Sequence, residues 1–300
     1  MMKHKEVNLE EKEFIHSYDA TRYERPSVTV DIVVMTVMEE AVHNYRKLNQ
    51  KELNILLIKR GEHPYKGEWA LPGGFVHMNE SIEDAAYREL KEETNLDKLY
   101  LEQLYTWGDV DRDPRTRVIS SSYLALVPAG VHSIRAADDA VEAQWFAVEY
   151  TILEEKTTYL ANGYRMERRI QIRLKSKSEE IFVIIEISKE KVDQCLNIER
   201  KVIDSNGLAF DHGIILYYAF ERLKSKIDYT DIIFNLMPQV FTLTELQQVY
   251  EVILGEELLT ANFRRKIKEK VLETNQMQKD AGHRPAKLFK YNNLDESIFY

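Results

Sequence analysis

Three observations predict an α+β fold in two domains for this chain of 300 residues. Apolar, β-branched segments at 27–38 and 53–60 are typical of strands that are buried on both faces. A helical pattern at 82–94 lies among further strand-like segments, and short helices separated by turn residues follow residue 228. Since the chain exceeds the usual size of one domain, this change of character favours a boundary before the C-terminal part.

The composition is that of an ordinary globular protein, with 44% hydrophobic and 30% charged residues. The formal net charge of −9 gives no chain-wide attraction to nucleic acid, so any such role needs a local basic patch. The single cysteine, Cys195, excludes an intrachain disulfide framework and fits a reducing compartment. The N-terminal residues contain no apolar core of signal-peptide length, and no apolar segment approaches the length of a membrane span. We therefore expect a soluble, cytoplasmic protein without a membrane partner.

The first part of the chain contains five strand-like segments behind a polar N-terminal arm at residues 1–26. Each segment is rich in the β-branched and aromatic residues that favour strands. The predicted strands run from Ser27 to Met38, Leu53 to Arg60, Leu99 to Trp107, Val118 to Val127 and Glu142 to Phe146.

The segment from Ile82 to Thr94 carries the start and stop signals of a helix. Ser81 precedes it and Asp84 follows three positions later, which is the spacing of a capping box. Asn95 comes after the last turn, where a residue in the left-handed conformation commonly ends a helix. We therefore predict a helix with these limits.

Three glutamates, Glu89, Glu92 and Glu93, fall on or beside the apolar face of this helix. An acidic stretch is most often a solvated helix face. Here the carboxylates share the side that should pack against the core, where unpaired charges are costly. A hard divalent cation is the natural partner, because Mg²⁺ binds a few carboxylates together with substrate phosphates. The pattern therefore favours a metal site.

The spacing from Gly74 onward resembles the Nudix box of the Nudix hydrolase superfamily. After Gly74 come five residues, Glu80, seven residues and then the run Arg88-Glu89-Leu90-x-Glu92-Glu93-x-x-Leu96. The one departure is Asn95 in place of glycine, and asparagine also tolerates the left-handed conformation.

This resemblance implies an N-terminal Nudix α/β/α sandwich that binds Mg²⁺ or Mn²⁺ at a diphosphate. Glu89, Glu92 and Glu93 would hold the metal and act in catalysis. The Gly74 carbonyl is a further candidate ligand, because glycine allows the backbone to approach closely. Arg88 would orient the carboxylates rather than touch the substrate.

A charged loop between two predicted strands is the candidate substrate-binding segment. It combines an aromatic ring, arginines and a carboxylate in Trp107, Arg112, Asp113 and Arg115. Arginine binds phosphate in a bidentate manner, although a solvated connection is the alternative. The segment 108–128 resembles the same region of Nudix proteins that recognise ADP-ribose. Arg60, just before the next turn, is either a second phosphate contact or a solvated strand end.

Residues 155–227 carry no chemical motif, and we predict an insertion followed by a linking helix. The insertion contains a hairpin with strands at 164–174 and 181–187, followed by a helix that carries Cys195. The linking helix spans 207–227, and we assign its His212 a structural rather than a catalytic role.

After residue 228 the pattern predicts three helices and a hairpin, which is the outline of a winged helix. Thr242 and Glu245 form a capping box for the second helix, and Gly255 closes it. The helices are predicted at 229–236, 243–254 and 261–272, and the strands at 274–278 and 285–291.

This C-terminal part is locally basic although the whole chain is acidic. Residues 258–291 contain nine Lys and Arg against three acidic residues. A basic helix beside a basic hairpin is typical of a DNA-binding surface, and a solvated dimerisation surface is the alternative. The candidate DNA contacts are Arg264, Arg265, Lys268, Arg284 and Lys287.

The stretches FTLTELQQVYEVILGEELLTANFRRKI and GHRPAKLFKY resemble the winged helix of Nudix-related transcriptional regulators of NAD metabolism. This resemblance implies a Nudix domain that senses ADP-ribose, a winged helix that binds double-stranded operator DNA, and a homodimer. The expected divisions are an arm at 1–26, a Nudix domain at 27–154, an insertion and linking helix at 155–227, and a winged-helix domain at 228–300.

Three functions fit these features. The first is Mg²⁺-dependent hydrolysis of ADP-ribose or a related nucleoside diphosphate, combined with ADP-ribose-responsive transcriptional regulation. The second is a non-catalytic ADP-ribose-sensing repressor, and the third is a housekeeping hydrolase whose C-terminal domain only dimerises. The complete set of Arg88 and the glutamates favours the first. The general base stays open among Asp138, Asp139 and Glu142.

Overall fold

The computed structural model describes residues 9–39, 50–95, 99–130, 140–278 and 285–293, without the side chains of residues 93, 94, 140 and 141. Its helices are α1 (Leu9–Ser17), α2 (Ile82–Thr94), α3 (His212–Lys226), α4 (Leu243–Leu254) and α5 (Thr260–Ile267), with 3₁₀ segments at Ala20–Arg22 and Ile232–Leu236. Its strands are β1 (Ser27–Glu39), β2 (Lys51–Arg60), β3 (Trp69–Ala70), β4 (Gly73–Phe75), β5 (Tyr100–Trp107), β6 (Val118–Leu126), β7 (Ala140–Leu160), β8 (Gly163–Lys175), β9 (Glu180–Val192), β10 (Cys195–Asn206), β11 (Val271–Gln278) and β12 (Ala286–Tyr291).

Ten of the described strands form one mixed sheet. Its main path runs β10-β9-β8-β7-β2-β1-β6-β5, and the short strands β3 and β4 pair with β2 and β1. β1 and β6 are parallel, whereas β1 pairs with β2 and β4 in the antiparallel direction. β11 and β12 form a separate antiparallel hairpin. The hairpin follows the helices, as the winged-helix outline predicts.

Both faces of β1 are buried, because helices pack on both sides of the sheet. Val30, Ile32 and Val34 belong to an apolar cluster with α2. Val33 and Met35 belong to the opposite cluster, which includes α3 and the C-terminal helices. Successive side chains of a strand point to opposite faces, so a nearly continuous apolar segment is needed at this position. The α+β fold with an α/β/α sandwich is thereby confirmed.

The helix that carries the glutamates begins and ends as predicted. The Ser81 side chain accepts a hydrogen bond from the Asp84 N–H, and the Asp84 carboxylate accepts one from the Ser81 N–H. Asn95 adopts the left-handed conformation with φ of 55°, and its N–H donates to the Lys91 carbonyl. Both predicted boundaries of α2 are confirmed.

The region after the predicted sandwich extends the sheet. The predicted strand 142–146 is the start of β7, which pairs with β8 along most of its length. The predicted hairpin is present as β8 and β9. The predicted helix around Cys195 is wrong, because Cys195 begins β10, which pairs with β9. Leu196 and Ile198 are two residues apart, which is the period of a strand. The free edge of β9 supplies the hydrogen-bond partners for the backbone N–H and C=O groups of this segment.

The second helix of the C-terminal part agrees with the prediction. Thr242 and Glu245 form both hydrogen bonds of the capping box, and α4 ends at Gly255 with φ of 74°. The first predicted helix is shortened to the 3₁₀ segment at 232–236.

The third helix of the C-terminal part is shorter than predicted. α5 ends at Ile267, because Val271 and Leu272 pair with β12 instead of continuing the helix. The connection at 279–284 lies outside the described residues.

α3 joins the sheet to the winged helix. Its buried residues include Ile215, Leu216, Ala219 and Leu223. It contacts strands of the sheet on one side and α4 on the other, within one continuous apolar cluster. None of the helices in the described ranges is long and apolar enough to cross a membrane.

Candidate ligand-binding cleft and DNA-binding surface

A cleft of about 850 Å³ lies between α2, β1, β2, β4 and two loop segments. One loop segment precedes β6 and the other precedes α3, so distant parts of the chain converge here. The predicted site residues that line the cleft are Arg60, Gly74, Arg88, Glu89, Glu92, Arg112, Asp113 and Arg115.

Arg88 lies at the centre of the acidic side of the cleft. Its guanidinium donates to Glu80 at 2.7 and 2.9 Å, to Glu89 at 2.7 Å and to Glu92 at 3.1 Å. A hydrogen bond of 3.1 Å to the Phe75 carbonyl ties it to β4. The hydrogen bonds with Arg88 lower the pKa of Glu80 to about 2. This geometry is the one expected of a residue that orients carboxylates.

Glu89 is the buried carboxylate of this set, with 8% of its surface exposed. Burial raises the pKa of Glu89, although the hydrogen bond and charge of Arg88 act in the opposite direction. The carboxylate lies against the backbone of Gly74, where an added Cβ would be 2.1 Å from Glu89 Oε1. Glycine is therefore needed at position 74, because any side chain would displace the carboxylate.

These residues suit a hard divalent cation. The Glu89 carboxylate lies against the Gly74 backbone, and Arg88 bonds both Glu89 and Glu92. Oxygen donors are the ligands that Mg²⁺ and Mn²⁺ prefer. Among the described side chains, no group of three His, Cys, Asp or Glu is arranged to hold a metal. The side chain of Glu93, the third predicted ligand, is outside that description. The described donors fit a cation that keeps water or ligand oxygens in its shell.

Arg60 and Arg115 form the cationic side of the cleft. Asp113 accepts hydrogen bonds of 2.8 and 3.0 Å from the Arg115 guanidinium. Arg60 donates to the Pro64 carbonyl at 2.8 Å, and within the described ranges no carboxylate forms an ion pair with it. Burial lowers the pKa of Arg60, and the positive charge of Arg115 lowers it further. An anion between these arginines would therefore be stabilised.

Arg112 lines the cleft but is also engaged by carboxylates within the protein. It donates to Asp211 at 2.8 and 2.9 Å and to Asp31 at 3.4 Å. Its side chain is 5% exposed. Because two carboxylates from other segments already pair with its guanidinium, Arg112 holds residue 211 against β1.

Asp31 and His212 form a second connection between β1 and the start of α3. His212 Nε2 lies 3.5 Å from Asp31 Oδ1, and His212 Nδ1 accepts the Leu71 N–H at 3.0 Å. Burial alone would raise the pKa of Asp31, but hydrogen bonds and charges from His212, Arg112 and Ser120 outweigh it and lower the pKa to about 2. These contacts agree with the structural role predicted for His212.

Trp107, a predicted substrate contact, does not line this cleft. Its ring is 5% exposed and packs against Tyr105 and Tyr218, with centroid distances of 4.8 and 5.7 Å. Its Nε1 donates to the Ser122 hydroxyl at 2.8 Å. The ring is buried because it packs against Tyr218 of α3, more than 100 residues away in sequence.

The segment 207–212 forms part of the cleft wall before α3 begins. Its backbone pairs with β3, since the Trp69 N–H donates to the Gly207 carbonyl and the Ala209 N–H donates to the Trp69 carbonyl. Phe210, with φ of 54°, is left-handed, which costs a residue with a side chain roughly 1–2 kcal/mol. The left-handed Gly207 and Phe210 explain why α3 starts at 212 rather than at the predicted 207.

The outer face of α5 carries basic side chains that, unlike most arginines of the cleft, form no ion pair with described residues. Arg264, Arg265 and Lys268 are exposed and form no ion pair with the described acidic residues. Phe263 and Ile267 hold the opposite side of the helix in the core. The helical period therefore separates an apolar side from a basic side.

One candidate DNA contact on the hairpin beside α5 is engaged in an ion pair. Lys287 is exposed but pairs with Glu273 across the two strands. Lys270, just after α5, pairs with Asp231 at 2.6 Å. The candidate contact Arg284 lies outside the described residues. Among the described residues, three exposed cations on α5 and at its C-terminal end, Arg264, Arg265 and Lys268, form no ion pair.

Two family models match the chain, the NUDIX domain at residues 38–165 and the NrtR DNA-binding winged helix domain at residues 233–291. The ADPR responsive transcriptional repressor NtrR of Acinetobacter baylyi is 32% identical over 284 residues, which cover 94% of this chain and 88% of that protein. The chain belongs to the NrtR family.

Two further proteins show what the parts of this NrtR-family chain resemble. An ADP-ribose pyrophosphatase of Methanocaldococcus jannaschii is 38% identical over 138 residues, which are 45% of this chain and 72% of that protein. The crystal structure of Shewanella oneidensis NrtR complexed with a 27mer DNA has a TM-score of 0.58 and 27% identity, and the match covers 88% of this chain and 93% of that chain. The similarity to NrtR extends across both domains.

Residues 166–232 of this NrtR-family chain lie between the two matched ranges, yet they supply Phe210, Asp211 and His212 to the site. The sequence analysis missed Phe210 and Asp211 as site residues because no local motif marks them. It also missed Asp31, whose signal was an acidic residue inside an apolar strand. A buried aspartate needs a partner, so that position could have been noticed.

Proposed function

We propose that this protein is a transcriptional repressor whose affinity for operator DNA is controlled by ADP-ribose bound in the cleft. The position of α3 carries the proposal, because this helix begins at the cleft residue His212 and packs against α4 of the winged helix. The Acinetobacter baylyi relative is named an ADPR responsive repressor, and the Shewanella oneidensis NrtR structure contains DNA.

The two sides of the cleft suit a diphosphate accompanied by a cation. Arg60 and Arg115 would bind phosphate oxygens, since guanidinium groups match phosphate geometry. Glu89, Glu92 and Glu93 would hold Mg²⁺ or Mn²⁺, with Gly74 supplying a backbone oxygen. The opposite charges of the two sides would fix the orientation of the ligand.

The basic face of α5 suits operator DNA. Arg264, Arg265 and Lys268 would contact the DNA directly, with α5 as the helix that enters the major groove. Exposed cations that form no ion pair with described acidic residues can exchange their counterions for DNA phosphates, which supplies binding free energy at low salt.

A gel-shift titration on DNA from upstream of the protein's own gene tests the regulator. We expect a shifted complex without ligand and release of the DNA as ADP-ribose is added. An equimolar mixture of AMP and ribose 5-phosphate is the matched control and should leave the complex intact. Unchanged DNA affinity at an ADP-ribose concentration that calorimetry shows to be saturating would overturn the proposal.

A second function, the hydrolysis of ADP-ribose to AMP and ribose 5-phosphate, is favoured by one observation. Arg88 contacts Glu80, Glu89 and Glu92, so the described carboxylates are present and oriented. A bound divalent cation supplies charge neutralisation at the diphosphate and lowers the pKa of an attacking water. The Methanocaldococcus jannaschii relative is named an ADP-ribose pyrophosphatase. Glu142, one candidate base, lies on β7 and is exposed.

Incubation with ADP-ribose and Mg²⁺, followed by chromatography of the nucleotides, tests the hydrolase. We expect AMP from the wild-type protein and none from Glu93→Gln or from wild type in excess chelator. If the wild-type protein releases no AMP while it still binds ADP-ribose, hydrolysis is excluded and the regulator stands alone.

We also propose that the protein is a homodimer. β10 is the edge strand of the described sheet, and most of its 12 residues are exposed. A long exposed edge strand leaves backbone groups open to pairing with another chain. Sedimentation equilibrium should give twice the mass of the chain, and a concentration-independent monomer would contradict this proposal.

A further inference from the structure

The cleft contains an aromatic residue, Phe210, that lies outside both matched domain ranges. It precedes α3 by two residues. We propose that Phe210 positions Arg60 and Arg115 for the diphosphate of the ligand and transmits occupancy of that site to α3. The transmission rests on the proposed regulatory function, whereas the positioning can be tested without it.

The ring of Phe210 lies within cation–π range of both arginines of the cationic side, and the Phe75 ring lies 5.4 Å from the Arg115 guanidinium carbon. The Arg60 guanidinium carbon lies 4.9 Å from the ring centroid, and that of Arg115 lies 6.0 Å from it. Cation–π attraction operates at such distances and is stronger where water is excluded. Arg115 also has Asp113, but Arg60 has no described carboxylate partner. The ring therefore keeps two repelling cations close together, where an incoming diphosphate can bridge them.

The ring of Phe210 is itself held firmly. Its centroid lies 4.7 Å from that of Tyr65 and 5.2 Å from that of His212. Its backbone is left-handed with φ of 54°, and the adjacent Ala209 N–H is bonded to the Trp69 carbonyl at 2.8 Å. A bulky residue adopts this conformation rarely, and only where its surroundings enforce it. Such strained positions are concentrated at ligand clamps and switch regions.

The residues after Phe210 connect the ring to α3. Asp211 is held by Arg112 at 2.8 and 2.9 Å, and His212 accepts the Leu71 N–H at 3.0 Å. A diphosphate that draws the arginines away from the ring changes the contacts of the segment from which α3 starts. α3 shares its apolar cluster with α4, so the change reaches the winged helix. A ligand with different affinities for two arrangements of this segment shifts their populations.

The experiment compares wild type with Phe210→Leu and Phe210→Tyr, and uses Tyr23→Leu as the matched control. Leucine keeps an apolar side chain but removes the π face, whereas tyrosine keeps it. Tyr23 is also aromatic, but it is 66% exposed and does not line the cleft. Calorimetry with ADP-ribose and with inorganic pyrophosphate measures affinity, and gel shifts at saturating ADP-ribose measure DNA release.

For Phe210→Leu we expect Kd values for ADP-ribose and pyrophosphate to rise roughly fivefold, as the loss of cation–π contacts implies. At saturating ADP-ribose, this variant should keep most of its DNA bound under conditions in which the wild-type protein releases its DNA. Phe210→Tyr and Tyr23→Leu should stay within about twofold of wild type in every measurement. Rescue by tyrosine separates the role of the π face from a general loss of packing.

Wild-type affinity for both ligands in Phe210→Leu would overturn the positioning role. Full release of DNA by saturated Phe210→Leu would overturn the transmission. If wild-type DNA binding does not respond to ADP-ribose, the proposed function fails, but the pyrophosphate titration still decides the positioning role.

Discussion

The cleft and the α5 surface both carry arginines suited to phosphate, but they differ in how the charges are compensated. In the cleft, Arg88 and Arg115 are bonded to carboxylates and partly shielded from water. On α5, Arg264 and Arg265 are exposed and unpaired with described acids. Charges held by partners occupy defined positions, which suits one small ligand. Charges without partners suit an extended polyanion, because counterion release needs no fixed geometry.

The difference also implies different responses to salt. Exposed charges are screened over about 8 Å at physiological ionic strength, whereas partly buried pairs are screened much less. We therefore expect the DNA affinity to fall steeply with salt and the ADP-ribose affinity to change little. The variants below separate the two surfaces, and each has a control in the same region.

The largest effect should come from Glu89→Gln, which removes a carboxylate charge from the acidic side of the cleft. We expect hydrolysis of ADP-ribose to fall by at least about 100-fold, since changing even an outer partner of a metal ligand costs 10–100-fold. DNA binding without ligand should be unchanged. Glu83→Gln, on an exposed position of the same helix, should keep wild-type activity. An active Glu89→Gln protein would break the assignment of the acidic side to catalysis.

The double variant Arg264→Ala, Arg265→Ala addresses the other surface. We expect DNA affinity to fall roughly 30-fold and the slope of log affinity against log salt to decrease by about two. Calorimetric ADP-ribose affinity should remain that of the wild type, because the cleft is formed by other residues. Arg165→Ala, an exposed arginine on β8, is the control and should leave DNA binding unchanged. Unaltered gel shifts from the double variant would mean that α5 is not the DNA-binding helix.

Asp31→Asn tests the buried charges that join the cleft to α3. The folded-state pKa of Asp31 is about 2, below its ordinary 3.8, so the ionised group stabilises the fold above about pH 3.8. This contribution, about 2 kcal/mol, is lost as the pH falls from 3.8 towards 2. Urea unfolding at pH 7 should show this loss in the variant, and the difference from wild type should shrink at the lowest pH that permits folding.

The control for Asp31→Asn is Asp109→Asn, an exposed loop position. Its free energy of unfolding should change by less than about 0.5 kcal/mol. A difference between Asp31→Asn and wild type that grows on acidification would contradict the ionised state of Asp31.

The smallest effects should come from the helix caps of the two regions. Thr242→Ala removes the cap of α4 and Ser81→Ala removes that of α2, each at about 1 kcal/mol of unfolding free energy. Thr242 is buried and Ser81 is exposed, so the Thr242 variant should lose more. Thermal unfolding measures both losses. Equal or reversed losses would show that burial does not strengthen these caps.

The helix boundaries could be predicted because their signals are local. Ser81 and Asp84 are three residues apart, and the same holds for Thr242 and Glu245. Hydrogen bonds of this kind form within one turn and depend little on the rest of the fold. For the same reason, the helical period alone could place the glutamates on one side of α2.

Local patterns did not predict contacts whose partners lie far away in the chain. Cys195 lies in a strand because β9 offers an edge, and Trp107 is buried because α3 covers it. Arg112 is paired with Asp211, 99 residues away. Strand pairing and long-range ion pairs are properties of the whole fold, and local patterns do not contain them.

The sequence by itself determined that an acidic helix faces the core beside glycine-rich backbone and that a basic helix lies near the C-terminus. Tertiary structure decided which partner holds each arginine of the cleft. Arg60 and Arg115 lie beside Phe210, whereas Arg112 pairs with both Asp31 and Asp211. The physical reason is that these partners are distant in sequence, and only folding brings the opposite charges together.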